Sequence, residues 1–212
     1  MRPHVILSCA MSLDGYIDDA TDERLILSGP ADLDRVDALR AGCDAILVGA
    51  GTVRADNPRL LVRSATRRAE RKRRKKPENP TKVTLTTTGD LDPHAAFFTA
   101  GDAARIVYVP PGTTADLPAT IVAADGLPAL LEDLAGRGVE RLLVEGGTAM
   151  HTAFLSGGLA DELQLAVAPI LVGGGTRFVE PATFPPGRLT LLAMDRVGDM
   201  AVLTYGRPWK RP

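Results

Sequence analysis

The sequence predicts one α/β domain spanning residues 1–212, a mixed central sheet flanked by helices. Three observations carry that expectation. Apolar runs of strand length end in glycine turns that lead into helical segments, which is the signature of strand–helix units. The C-terminal part instead holds strand-like runs joined without a helix, so parallel and antiparallel pairing should coexist. Finally, 212 residues, 45 % of them hydrophobic, suit one sizeable core, since cores stop growing only above roughly 250–300 residues.

Residues 4–10 (HVILSCA) form a short apolar run, read as a buried strand. Ser28 and an early Pro30 then mark a helix start, and ADLDRVDALRAG carries Leu33, Val36 and Leu39 on one face, read as the core side. Gly42 ends it. Residues 45–48 (AILV) are the next strand and run directly into GAGTVRADNPRLLVR. KVTLTTT and ARIVYV are strand candidates rich in β-branched residues. LPALLEDLAG is an amphipathic helix, RLLVE a strand ending at Glu145, and GGTAMHTAFLSGG a glycine turn with a short helix. From Asp161 on, ELQLAVAPILVGGG is strand-like, and RLTLLAMDRVGDMAVLTYGR reads as two strands turning at Val197 to Asp199.

Composition narrows the function classes. Aromatic content of 4 % argues against a nucleic-acid reader built on stacking platforms. Cys9 and Cys43 sit in apolar segments as small buried hydrophobes, with no CxxC pair and no zinc spacing, so no metal site is expected. The start of the chain is too short and polar for a signal peptide, and no apolar run approaches 18 residues, so a soluble cytoplasmic protein is expected. Basic and acidic residues balance at 25 to 26, but eight of the ten residues 67–76 (RRAERKRRKK) are basic. Followed by PENPTK, this block reads as a solvated surface loop over about residues 64–80.

Two glycine turns are the most informative local features. In GAGTVRADNP (Gly49, Gly51) and VEGGTAM (Gly146, Gly147), a strand delivers glycines and then a threonine, Thr52 or Thr148. Such turns let a backbone approach a ligand, and helix N-termini offer amides to phosphate. GxGxxG in its standard place and GxxxxGK[ST] are both missing. Asp56 and Asn57 before Pro58 are either an Asx-turn or site residues. Glu145, closing an apolar strand, lies at a ligand edge or is a costly burial. Arg40 and Arg63 are solvated ends or, with Arg59, a phosphate grip. His151 reads as a surface helix histidine. Hydride transfer from a nicotinamide would need no nucleophile, only positioning and a proton route.

These residues fall in four motifs: AMSLDGYI (10–17), LRAGCDAILVGAGTVRADNPRLLVR (39–63), LLVEGGTAMHTAFLSGGLADEL (142–163) and APILVGGG (168–175). Together they resemble the reductase domain of the bifunctional riboflavin-synthesis deaminase–reductases and its stand-alone archaeal and fungal relatives. The resemblance implies a dihydrofolate-reductase-like fold, NADPH as cofactor, a phosphoribosylaminopyrimidine substrate and a homodimer, with no nucleic-acid or membrane partner. It implies cofactor contacts at Ala10, Thr52, Asp56, Gly146, Gly147, Thr148, Ala149 and Met150, with Thr87 matching a serine near the adenosine 2′-phosphate. On the substrate side it implies Arg40, Leu60, Arg63 and Glu145. Asp56 and Glu145 are the expected polar guides of proton traffic.

The chain departs from the family in three places. Glu23-Arg24-Leu25-Ile26 replaces a Ser-x-Trp-Ile stretch, Thr87 replaces the serine, and the 67–76 block is unusually basic. The zinc-deaminase signature is missing. A paralogue acting on dihydrofolate or another pterin-like compound, and a non-catalytic nucleotide-binding module, are the competing expectations. The substrate is either the diaminopyrimidinone or its deaminated uracil form, and GAGTVRADNP and VEGGTAM lean toward the former.

Overall fold

A computed structural model of the chain describes residues 2–21, 23 and 25–210, with side chains up to 207. The elements run β1 (His4–Met11), β2 (Tyr16–Asp18), α1 (Pro30–Ala41), β3 (Ala45–Gly49), α2 (Ala50–Asp56), α3 (Ala65–Arg73), β4 (Thr81–Leu85) and α4 (Ala96–Thr99). They continue as β5 (Arg105–Val109), β6 (Thr120–Ala123), α5 (Gly126–Gly136), β7 (Arg141–Gly146), α6 (Thr148–Ser156), β8 (Glu162–Val167), β9 (Thr176–Arg177), β10 (Arg188–Val197) and β11 (Met200–Lys210). No helix among the described residues is long and apolar enough to cross a membrane.

The described residues divide into two compact units, one of residues 2–4 and 37–143, the other of residues 5–36 and 144–210. In the first, β3, β4, β5 and β6 pair in parallel, with Gly49 opposite Leu85 and Leu85 opposite Tyr108. Parallel strands covered on both faces read as continuous apolar runs, and β3 is buried along its whole length. Ile46, Leu47, Val83, Phe97, Val107, Leu130 and Leu134 are its innermost side chains. In the second unit the pairing is mixed. β1 pairs parallel to β8, β8 antiparallel to β11, and β11 antiparallel to β10. The short β2 and β9 pair separately. The α/β class and the mixed pairing expected from sequence are both found.

Two expectations are corrected, and both concern charge. The segment read as a basic surface loop over 64–80 contains helix α3. Ser64 caps it, its side chain accepting from the Arg67 amide at 3.3 Å. Arg71 is buried, and its guanidinium donates to the carbonyls of Pro77 (2.8 Å), Ala41 (2.8 Å) and Cys43 (2.6 Å). Arg67 pairs with Asp37 and Lys76 with Asp44. The exposed Arg73 and Arg74 meet Glu70, and Lys72 meets Glu78. A cation is favoured at a helix C-terminus, where carbonyls lack intrahelical partners, and Ala41 is the last residue of α1. Lys82 repeats the arrangement: wholly buried in β4, its ammonium donates to Phe97 (3.0 Å) and Ala100 (2.6 Å) at the end of α4. Burial, with Arg105 nearby, lowers its pKa to about 8.

The second correction is the face of α1. Its buried residues are Asp32 and Asp37, while Leu33, read as core-facing, is exposed. Asp32 accepts from Ser28 (2.5 Å) and Arg35 (2.7 Å), and Arg35 reaches Gln164 of β8 at 2.7 Å. Carboxylates whose lone pairs are filled this way tolerate burial, so the helix buries two aspartates beside the half-buried Val36 and Leu39.

Candidate functional site

In the first unit the carboxyl edge of the parallel strands carries two of the expected cofactor residues. β3 ends at Gly49, which starts α2, and Thr52 is half-buried in its first turn. β4 ends at Leu85, and two residues later Thr87 is exposed in a bend held by the Gly89 amide on Thr86 Oγ1 at 3.2 Å. Gly49 and Leu85 are register partners, so both turns leave the same edge, where ligands of α/β sheets gather. Asp56 is exposed at the last position of α2. Asn57 caps that helix in the left-handed region (φ 44°), its amide on the Val53 carbonyl, while its side chain accepts from the Ala96 amide at 2.5 Å. Of the Asp56–Asn57 pair, Asn57 therefore does the structural work.

The segment 60–64 follows. Leu60 is buried at φ 49°, a conformation that costs a side chain of this type energy and persists where the surroundings impose it. Around it, side chains rather than secondary structure hold the backbone. Arg40 donates to the Leu61 carbonyl at 3.2 Å, and Asn79 accepts from the Val62 amide at 3.0 Å. The Asp37 carboxylate accepts from the Arg63 and Ser64 amides and from the Arg67 guanidinium. Burial pushes that carboxyl up, but these three donors outweigh it and hold it below the usual range. The Arg68 guanidinium donates to the carbonyls of Val62 (2.8 Å) and Arg63 (2.7 Å). Arg63 itself is exposed. Two of the expected substrate residues, Leu60 and Arg63, thus belong to one braced segment, and a third, Arg40 of α1, is among its braces.

The second unit carries the other turn. Glu145 is half-buried near the end of β7, so the costly full burial weighed from sequence does not occur. Gly147 adopts φ 86° at the start of α6, open to glycine without strain. Of the amides in the first helical turn, that of Met150 donates to the Gly147 carbonyl at 2.9 Å, while those of Thr148 and Ala149 precede the first intrahelical bond. Thr148 directs its hydroxyl to the Arg177 carbonyl, and Thr152 donates to the Thr148 carbonyl at 2.8 Å while accepting from the Glu180 amide at 2.9 Å. The Thr148 hydroxyl is therefore committed to β9 and its carbonyl to Thr152, leaving its backbone amide for a ligand. Ala149 is exposed and Met150 half-buried. Ala10 packs on the cluster of Ala166, Ala168, Met200 and Val202.

His151 is a third correction. It is buried rather than on the surface, with its ring 5.2 Å from that of Phe178. Burial lowers its pKa to about 4, against a smaller opposing effect of the Phe178 backbone beside it. Sequence reasoning also missed Asp14. Its carboxylate accepts from Ser12 Oγ (2.6 Å) and from the amides of Val172 (3.1 Å) and Gly173 (2.7 Å). The Ser12 hydroxyl and these amides hold it down at about 2. Asp14 lies in AMSLDG and the two amides in ILVGGG, so two quoted motifs are one bonded unit. In the 23–26 stretch, Arg24 lies outside the described residues. The Leu25 amide donates to Asp18 at 3.1 Å, and Ile26 is exposed.

Comparison with known proteins decides the family. A model of the RibD C-terminal domain matches residues 3–203. The chain belongs to the RibD C-terminal domain family. Within it, the chain is similar to a 2,5-diamino-6-ribosylamino-4(3H)-pyrimidinone 5′-phosphate reductase of Methanothermobacter thermautotrophicus, 42 % identical over 185 residues, covering 82 % of this chain and 81 % of that one. It is 34 % identical to the riboflavin biosynthesis protein RibD of Bacillus amyloliquefaciens, of which it covers 47 %. Among solved structures, Acinetobacter baumannii RibD superposes with a TM-score of 0.82 at 27 % identity, covering 97 % of this chain and 58 % of that one. Dihydrofolate reductase of Enterococcus faecalis, solved with NADP(H), superposes at 0.54 and 15 % identity, covering 96 % of each chain, which shows the fold. The dihydrofolate-reductase-like architecture implied by the sequence motifs of the RibD family is thus found.

Proposed function

We propose that the chain is an NADPH-dependent pyrimidine reductase of riboflavin biosynthesis. It reduces the ribosyl group of 2,5-diamino-6-ribosylamino-4(3H)-pyrimidinone 5′-phosphate to the ribityl group. The observation that carries this reading is the 42 % identity, over 185 residues, to the Methanothermobacter thermautotrophicus reductase of that name. An Archaeoglobus fulgidus protein of the same name, 40 % identical, supports it. One family match spanning both units also supports reading residues 1–212 as a single reductase domain.

Residues of both units suit the cofactor, each unit considered by itself. In the first, Thr52 lies in the turn of helix that follows β3, Asp56 is exposed at the far end of that helix, and the exposed Thr87 hydroxyl suits a 2′-phosphate. In the second, Gly146, Gly147 and the amides of Thr148 and Ala149 suit diphosphate oxygens, with Met150 beside them, its own amide on the Gly147 carbonyl, and Ala10 offers a small side chain. When bound, NADPH supplies the hydride. Arg63 and Arg40 bind and orient the substrate phosphate, and Leu60 fixes the backbone between them. Opening of the ribosylamine leaves C1′ as an imine-like carbon, which takes the hydride while its nitrogen takes a proton. Asp56 and Glu145 are the carboxylates available to move that proton.

We also propose a homodimer. β10 ends its sheet with β11 as its one strand neighbour among the described residues, and Leu191, Leu192 and Met194 on it are 52 %, 59 % and 71 % exposed. A long apolar edge strand is an aggregation hazard unless paired or covered, and twofold dimers are the commonest oligomers. The function is tested by NADPH oxidation with the diaminopyrimidinone phosphate, its deaminated form and dihydrofolate. Turnover of dihydrofolate alone would contradict it.

A further inference from the structure

We infer that Asp37, with Arg67 and Arg68 of α3, is a positioning device for Arg63, and that the basic helix α3 exists to brace the phosphate-binding segment. This rests on reading Arg63 as the group that meets the substrate phosphate. A guanidinium on a free loop loses rotational and backbone freedom when it binds an anion, and that loss weakens binding. Here the freedom is already removed. One carboxylate, itself buried, takes the Arg63 and Ser64 amides, so residue 63 has a fixed backbone direction. The Arg68 guanidinium donates to the Val62 and Arg63 carbonyls. Arg67 neutralises Asp37 at 2.9 Å and is carried by the same helix, and Ser64 both ends the segment and caps that helix. The helix is anchored in turn by Arg71. The Arg63 side chain, by contrast, has no bonded partner among the described residues and is exposed. A segment in which every brace spares that one guanidinium is arranged to present it to an anion.

The test is a double-mutant cycle on the full chain, following NADPH oxidation with the ribosylaminopyrimidine 5′-phosphate and with its dephosphorylated nucleoside. Asp37→Asn keeps the shape but replaces one acceptor oxygen by a donor, facing an amide with an N–H. It should raise KM for the phosphate ester by about tenfold, the scale of one hydrogen bond to a charged group, with a smaller change in kcat and in KM for the nucleoside. In an Arg63→Ala background it should add nothing further. Equal losses with both substrates, or full additivity with Arg63→Ala, would overturn the inference and leave Asp37 a merely structural residue. Should Asp37→Asn fold poorly, Arg68→Met carries the same comparison. Binding of ribose 5-phosphate, measured by calorimetry, separates this inference from the proposed function. If the wild type turns over neither pyrimidine, the substrate assignment fails. The brace then stands if Arg63→Ala abolishes ribose 5-phosphate binding and Asp37→Asn weakens it, and falls if the three proteins bind it alike.

Discussion

Arg71 of α3 donates to the Cys43 carbonyl at 2.6 Å across 28 positions of sequence, and the same nitrogen reaches Ala41 at 2.8 Å. This pair of contacts converts a run of like charges into a packed helix. Arg71→Met keeps much of the volume but leaves three carbonyls without their donor. It should lower stability by about 3 kcal/mol, which for a chain of this length is a fall in Tm of roughly 6–12 °C. Lys72→Met, one position along and exposed, should change stability by no more than about 0.5 kcal/mol. Thermal unfolding of the two variants decides it, and equal Tm values would contradict the packed role of Arg71.

His151 makes stability depend on pH. Its ordinary pKa of 6.5 falls to about 4 through burial. The unfolded chain therefore takes up a proton below about pH 6.5 that the folded chain refuses until about pH 4. Stability contributed by the neutral ring is fully present above 6.5 and declines as pH falls through that window, by about 3 kcal/mol in all. His151→Leu should flatten this part of the profile. The check is the difference in urea midpoint between wild type and variant at pH 7.5 and at pH 4.5, and a difference that does not change with pH would contradict the assignment.

How far the sequence revealed this structure depended on what drives each element. β3, β5 and β7 were legible because strands buried on both faces become apolar runs. The β10–β11 hairpin was legible from its turn around Gly198. α3 was not, because its burial is secured by one arginine on carbonyls, and no hydrophobic pattern records that. The inward face of α1 was misread for the same reason: Asp32 and Asp37 are buried by their hydrogen-bond partners, some of them far along the chain. His151 was misread because a lone histidine on a short helix carries no sign of its neighbours. The glycine turns and Glu145 stood out from the residues alone, whereas Ala10, Leu60 and Thr87 came only through family resemblance. Asp14 and Asn79 were missed because their partners, residues 172–173 and 62, become neighbours only in the fold.

Thr87 should distinguish the two nicotinamide cofactors. Thr87→Val removes a hydrogen bond to a charged 2′-phosphate, worth roughly 1.5–3 kcal/mol, which NADH does not have. Affinity for NADPH should fall about tenfold or more while affinity for NADH and Tm stay near the wild-type values, since the side chain is exposed. Equal losses for both cofactors would remove Thr87 from the phosphate.

The apolar edge of β10 should be covered by a second copy. Sedimentation equilibrium should give twice the 22.4 kDa chain mass for the wild type and the single mass for Met194→Lys, whose side chain is 71 % exposed in the single chain. A wild type that sediments at 22.4 kDa with full activity would contradict the dimer.

The central claim, reduction of a phosphoribosylaminopyrimidine, meets its most direct test in one comparison of rates. NADPH oxidation by the purified chain is measured with 2,5-diamino-6-ribosylamino-4(3H)-pyrimidinone 5′-phosphate and with 5-amino-6-(5-phosphoribosylamino)uracil, and the product is identified by mass. The product should gain two hydrogens, and kcat/KM should be higher for the diaminopyrimidinone. NADPH left unoxidised with both compounds would contradict it.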